Sequence, residues 1–213
     1  MSEKISDKKK RIVKIIEIFD NLYSDAECTL DYETPLQLLI STCLAAQCTD
    51  KRVNIVTKTL YAKYIDVYDF AHADELELQN DVRSTGFFRN KAKNIIGCCQ
   101  TLIADFDGEV PNTMEELLTL PGVGRKTANL VLGDYFGIPT IVVDTHATRL
   151  SNRLDFTQNK NPHKIEIDLM KIVPKDNWTK LCHQLVYHGR EYCKARSPKC
   201  DICPISIHCP RKI

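Results

Sequence analysis

Near the end of the chain stand Cys193, Cys200, Cys203 and Cys209, spaced C-x6-C-x2-C-x5-C. The other six cysteines (Cys28, Cys43, Cys48, Cys98, Cys99, Cys182) are spread over the preceding 192 residues, a background that would leave fewer than one in this 17-residue stretch. Four converging thiolates are metal ligands. The segment also carries Pro198, Pro204 and Pro210 and few large apolar residues, so it cannot build a core of its own. Ligation would supply the missing constraint, because metal-binding free energy becomes folding free energy. Four sulfurs suit either tetrahedral zinc or a cubane cluster in which each iron takes one cysteine. A zinc ribbon typically has two separated CxxC pairs, and only Cys200 and Cys203 form one here, which tilts the choice toward iron and sulfur.

A second group of residues is Leu120-Pro121-Gly122-Val123-Gly124-Arg125-Lys126. Its two glycines permit backbone conformations and close approaches that other residues resist. Amide groups at such a turn, followed by a helix N-terminus, suit a phosphate; a tight helix-to-helix turn without a ligand is the equal alternative. Lys126 falls in the first turn of the following helix, where the dipole disfavours a cation, and a neutral amine is a nucleophile. Its other reading is an exposed lysine that pairs with phosphate. Asp144 follows the apolar Ile141-Val142-Val143 and precedes Thr145-His146-Ala147, the arrangement of an N-cap. A carboxylate fixed there could also assist catalysis, and His146 reads as structural.

The elements that must position these groups are helices. Apolar residues recur at helical spacing through Ile12, Ile15, Ile16, Phe19 and Leu22, and through Leu36, Leu39, Ile40, Cys43 and Leu44. Further helices are predicted over 53–64, 74–84, 91–105, 113–120, 126–136, 145–154, 162–172 and 178–190, most bounded by caps, Gly, Asn or Pro. Only Thr140–Val143 is β-branched enough to read as extended, and it is too short to begin a sheet. The pattern is all-α, without repeat or flexible linker, and any division into domains must come from helix packing.

The chain has 213 residues, 43% of them hydrophobic, and a net charge of +1, so its total charge does not advertise nucleic acid. The charges are segregated, however. From Lys171 to Ile213 there are nine basic residues against three acidic, whereas Asp66–Arg83 holds six acids and one arginine. A basic C-terminal face suits phosphates or is simply solvated. No apolar run approaches the ~20 residues of a membrane helix. The N-terminus is charged where a signal peptide would turn apolar, so the chain is expected to be cytoplasmic, with its cysteines reduced. Lys8-Lys9-Lys10-Arg11 reads as the polar start of a helix.

Taken in order, LPGVGRKTAN, then VDTH, then the four spaced cysteines closely resemble endonuclease III, the bacterial DNA glycosylase family of the helix-hairpin-helix superfamily. The resemblance extends to Ala45-Ala46-Gln47-Cys48-Thr49-Asp50, Arg89-Asn90-Lys91-Ala92-Lys93-Asn94, Gly108-Glu109-Val110-Pro111 and His188-Gly189-Arg190, covering about Pro35 to Pro210. It implies an all-α fold with a six-helix domain over 28–137 and a cluster domain made of 1–27 and 138–213, with the active-site cleft between them. It also implies a [4Fe-4S] cluster on Cys193, Cys200, Cys203 and Cys209. The partner would be double-stranded DNA with damaged bases or abasic sites, bound by a monomer in the bacterial nucleoid.

Carried over by position, Lys126 would attack the sugar C1′ of an extruded oxidised pyrimidine, and Asp144 would assist. Gln47 would fill the gap left by the extruded nucleotide, and Phe87 would part the stack where some relatives have leucine. Gly122, Val123, Gly124 and Arg149 would contact DNA, and the loop with Lys194, Arg196 and Lys199 would lie on phosphates. Two other readings compete. A monofunctional adenine-mismatch glycosylase lacks a lysine at position 126 and carries an extra C-terminal domain; a silent DNA clamp would bind without reaction.

Overall fold

The computed structural model describes residues 3–211, and all the regular structure among them is helical. Lys212, counted above in the basic C-terminal stretch, lies outside the described residues together with Met1, Ser2 and Ile213. The α-helices are α1 (Ile5–Leu22), α2 (Pro35–Leu44), α3 (Asp50–Lys63), α4 (Val67–Ala71), α5 (Glu75–Asp81), α6 (Phe88–Asp105), α7 (Met114–Leu117), α8 (Arg125–Leu130), α9 (Thr145–Arg153), α10 (Pro162–Met170) and α11 (Trp178–Glu191). Thr140–Val143 is unassigned coil with Ile141, Val142 and Val143 buried, so its β-branched residues pack without pairing into a sheet.

Most starts are set by side chains that accept an otherwise orphaned amide. Thr34 caps α2 ahead of Pro35, Thr49 caps α3, and Asn161 caps α10 ahead of Pro162. At α7, Thr113 Oγ1 accepts from the Glu116 amide at 3.3 Å and donates to the Glu116 carboxylate at 2.6 Å. The acidic stretch is used the same way. Asp66 and Asp74 cap α4 and α5, while Glu77 and Asp81 pair with Lys63 at 2.8 and 2.6 Å. Asp69 accepts the Ile65 amide at 2.8 Å and Glu75 accepts from Gln79 Nε2 at 2.9 Å, so all six acids have local structural tasks.

The described chain forms two compact units, Cys28–Gly137 and a discontinuous one containing residues 3–27 and 138–211. In the first, α6 is the central rod, with α2, α4 and α5 against it. Leu38, Leu39, Leu44, Leu60, Phe70, Leu78, Ile95 and Leu102 are fully buried there. Cys98 and Cys99 belong to this core, where burial pushes both thiols up and keeps them neutral. In the second unit α1 returns to the C-terminal part of the chain. Phe19 packs its ring 4.9 Å from that of His188, and Asp20 accepts from Gln184 at 2.9 Å.

The helices differ from the expectations in several details, among them the predicted 113–120 helix, of which only Met114–Leu117 is α-helical. The five-residue α4 is too short to show an apolar period and was absent from the sequence reading. The predicted 74–84 helix ends at Asp81, and Arg83–Thr85 tightens into a 3-10 turn before Gly86. The predicted 126–136 helix widens into a π turn over Val131–Tyr135, a local insertion that side-chain periodicity does not reveal.

Because α6 carries the core of its unit, Leu102→Ala should cost about 2–5 kcal/mol through lost burial and an unfilled cavity. Urea denaturation checks this, and a loss under ~1 kcal/mol would mean the site collapses freely.

Candidate active site and cysteine loop

The hairpin after α7 depends on a glycine. Gly122 has φ +77°, and a Cβ there would sit 2.8 Å from Asn94 Cβ and 2.9 Å from its Nδ2. Conformation and space therefore both demand Gly122, and α6 supplies the wall through Asn94. The Val123 amide closes the turn onto Leu120 O at 3.1 Å, while its side chain is buried, so only its backbone can face a ligand. Gly124 has open space around a would-be Cβ and is the N-cap of α8 with no capping side chain. Lys126 follows in the first turn, exposed. An exposed helix start without a capping side chain, at Gly124, and the solvent-facing Lys126 amine thus sit within three residues.

Elsewhere in this unit, three exposed non-glycine residues take left-handed backbone: Asp107 at φ 52° in the turn after α6, Gln47 at φ 54° and Phe87 at φ 49°. Such conformations cost about 1–3 kcal/mol each and persist only where the surroundings impose them. Gln47 follows the end of α2, and Phe87 is the N-cap of α6 with 62% of its surface exposed. A large aromatic left in water on strained backbone is shaped for something outside the chain.

In the second unit Asp144 is the N-cap of α9, its Oδ1 accepting the Ala147 amide at 2.7 Å. The carboxylate is half-buried and held by its own helix. Two arginines four residues apart, Arg149 and Arg153, lie on one face of that helix and reach the cysteine segment. Arg149 Nε donates to Cys193 O at 3.1 Å, and one of its terminal nitrogens donates to Gly189 O at 3.3 Å and lies 3.0 Å from His146 Nδ1. Arg153 donates to Lys194 O at 2.7 Å, Ala195 O at 3.0 Å and Cys193 Sγ at 3.3 Å. Gly189 is obligatory, because its Cβ would fall 2.5 Å from His146 Nδ1.

Cys193, Cys200, Cys203 and Cys209 line one cavity, together with Leu150, Leu154, His188 and Ile205. The residues present fit a sulfur-ligated cluster: four thiols of the chain share one largely apolar chamber. Four cysteines on one cavity match the one-cysteine-per-iron ligation of a cubane cluster. Burial pushes the Cys203 and Cys209 thiols up, and the neighbouring cysteine sulfurs push them further, a cost that bound iron would remove by holding the thiolates. His188, buried and lowered to about 4 by desolvation, is neutral near pH 7; its Nε2 lies 3.5 Å from Cys203 Sγ and its Nδ1 3.3 Å from Tyr23 Oη. From α1, Arg11 donates to His208 O at 3.1 Å, pairs with Glu3 at 2.6 Å and stacks on Phe156.

The structure thus brings the four cysteines together and places Lys194, Arg196 and Lys199 exposed on the loop between the first two, with Ser197 at φ 52°. Arg149, expected at DNA, spends its donors on Cys193, Gly189 and His146. Arg153 has no task assigned from the sequence, while His188 enters there only within the His188-Gly189-Arg190 resemblance and Arg11 only as part of the polar start of a helix. The i, i+4 spacing of Arg149 and Arg153 on a helix begun by Asp144 is the signal for Arg153; Arg11 stands in the basic run Lys8–Arg11, which does not reveal its distant partner His208.

Comparison with known proteins follows the same features. The HhH-GPD superfamily base excision DNA repair protein model matches residues 40–175, and the iron-sulfur binding domain of endonuclease III matches 193–209, the span of the four cysteines. Endonuclease III of Synechocystis sp. is 51% identical over 97% of this chain and 95% of its own. A structure described as a non-covalent endonuclease III–DNA complex superposes with TM-score 0.91 at 44% identity, covering 95% of each chain. A second, a trapped endonuclease III–DNA covalent intermediate, gives the same TM-score and identity over 95% of this chain and 96% of the other. An all-helical fold, an obligate-glycine hairpin followed by an exposed lysine, and a four-cysteine chamber that takes a [4Fe-4S] cluster therefore place this chain in the endonuclease III family of base-excision DNA repair enzymes.

Proposed function

We propose that this enzyme removes oxidised pyrimidines from duplex DNA and then cuts the strand at the abasic site, acting as a monomer in the bacterial cytoplasm on nucleoid DNA. The observation that carries the reading is Lys126, an exposed amine in the first turn behind the glycine hairpin. The monofunctional adenine-mismatch relatives lack a lysine at that position. Among the described residues no helix is long and apolar enough to cross a membrane.

The damaged nucleotide must leave the stack, since its glycosidic bond is unreachable inside it. Phe87 parts the base step and Gln47 occupies the vacated space; both are exposed and take left-handed backbone. The Gly122–Gly124 backbone receives phosphate, and Lys194, Arg196 and Lys199 contribute positive charge from the cysteine loop. Arg149 supports that loop from behind.

In the reaction the Lys126 nitrogen forms a bond to C1′ as the C1′–N bond to the base breaks, and the base departs with a proton. Ring opening leaves an imine between Lys126 and C1′. That imine acidifies C2′; loss of the C2′ proton expels the 3′ phosphate and breaks the strand. Asp144 stabilises the positive charge developing on the sugar, a fixed anion worth most where it needs no reorganisation. The [4Fe-4S] cluster, when bound, supplies ligation that fixes the basic loop, and no step of the reaction passes through it.

Lys126→Gln should abolish strand cleavage and lower base release by at least about a thousandfold, while lesion-duplex affinity stays within about tenfold. Asp144→Asn should lower single-turnover base release by roughly a hundredfold or more. Retained cleavage by Lys126→Gln would overturn the assignment. Purified protein should contain about four irons per chain and absorb in the visible, and Cys203→Ser should lose both together with duplex binding. Lys199→Glu should weaken lesion and undamaged duplex alike and reduce the salt slope by about one or more.

A further inference from the structure

Lys91 is a buried cation that none of these steps uses. It is 6% exposed, and its Nζ donates to Leu44 O at 2.8 Å and Thr85 O at 2.8 Å and lies 3.4 Å from Thr85 Oγ1. All three acceptors are neutral oxygens. Burial lowers the pKa of this amine, the sign of an ammonium that has given up much of its hydration. A packed apolar side chain would fill the position without that desolvation. An ammonium here therefore calls for a reason beyond packing.

The reason lies in what its acceptors begin. Leu44 is the last residue of α2, and three positions on stands Gln47 with φ 54°. Thr85 is the last residue of the 3-10 turn, followed directly by Gly86 at φ 73° and Phe87 at φ 49°. The Lys91 amide also donates to Phe87 O at 3.1 Å, in the first turn of α6. One side chain thus ties together the backbone ends from which Gln47 and Phe87 depart. Three tetrahedral donors on one nitrogen let an ammonium bond both carbonyls at once. The Thr85 hydroxyl, which donates to Val82 O at 2.8 Å, holds the turn from its other side.

We propose that Lys91 is a positioning residue for lesion recognition, its ammonium clamping the Gln47 and Phe87 loops into one rigid pair so that wedge and gap-filler enter DNA together. The clamp explains how two strained residues keep their conformations while exposed. The inference rests on the reading that Gln47 and Phe87 enter the duplex.

The test compares the parent with Lys91→Met, which keeps chain length but removes the donors, and with Leu102→Ala, a core change of the same unit away from these loops. The probe is a duplex containing one tetrahydrofuran abasic analogue with 2-aminopurine beside it. In the parent, binding should raise 2-aminopurine fluorescence; no rise there would refute the wedge reading itself. With that signal present, Lys91→Met should lose most of it and bind the analogue at least tenfold more weakly, while undamaged duplex binding changes less than twofold. Leu102→Ala should keep both signal and selectivity. If Lys91→Met retains fluorescence and selectivity within twofold, or loses no more than Leu102→Ala, the proposal is overturned. Should Lys91→Met not fold, hydrogen exchange of the parent decides: the Cys48 and Gly86 amides, bonded to Ala45 O and Arg83 O, should have protection factors within tenfold of each other. A larger difference contradicts the clamp.

Discussion

The Cys193–Cys209 segment cannot hold itself together, and the second unit is built around that fact. It has three prolines within or beside it and few large apolar side chains, so neither a core nor a helix of any length fixes its path. Its constraint comes from outside: Arg149 and Arg153 of α9 bond the carbonyls of Cys193, Lys194 and Ala195, and Arg11 of α1 bonds that of His208. A [4Fe-4S] cluster ligated by Cys193, Cys200, Cys203 and Cys209 would add the remaining constraint from within the chamber. Charge-assisted bonds from a rigid helix face suit this task, because the Arg149 and Arg153 guanidinium groups each satisfy two carbonyls in a fixed fork. The helix that braces the loop is also the one begun by Asp144. The loop's position and the carboxylate's orientation are therefore set by one element.

The first unit meets an equivalent demand by different means. Its working residues sit on turns rather than on a ligated loop, and the turns are fixed by contact with α6. Asn94 of that helix leaves no room for a side chain at position 122, and Lys91 of the same helix holds the carbonyls before Gln47 and Phe87. The helix interior is pure core, with Ile95, Cys98, Cys99 and Leu102 buried. Rigidity at the turns thus derives from packing two or three turns away along one helix.

Much of this was legible in the residues themselves. Cysteine spacing announced a ligand set, the glycine pair announced a turn that other residues would resist, and Asp144 before a helical run announced a cap, which the Ala147 amide at 2.7 Å displays. What stayed hidden was whatever depends on distant partners. Arg11 contacts a carbonyl 197 residues away, and Lys91 looks in sequence like any polar position near a helix start. The π turn at Val131–Tyr135 and the five-residue α4 escaped because neither changes side-chain periodicity over a readable length. Arg149 shows the converse: the resemblance implied a DNA contact, and three-dimensional packing shows donors turned toward Gly189 and Cys193.

The central claim is that the Lys126 nitrogen becomes covalently joined to the sugar. Borohydride reduction of the enzyme mixed with abasic-site DNA, followed by peptide mapping of the trapped product, tests it most directly. The account predicts a stable protein–DNA adduct whose modified residue is Lys126. No adduct, or an adduct mapped to any other lysine or to the N-terminal amine, would contradict it.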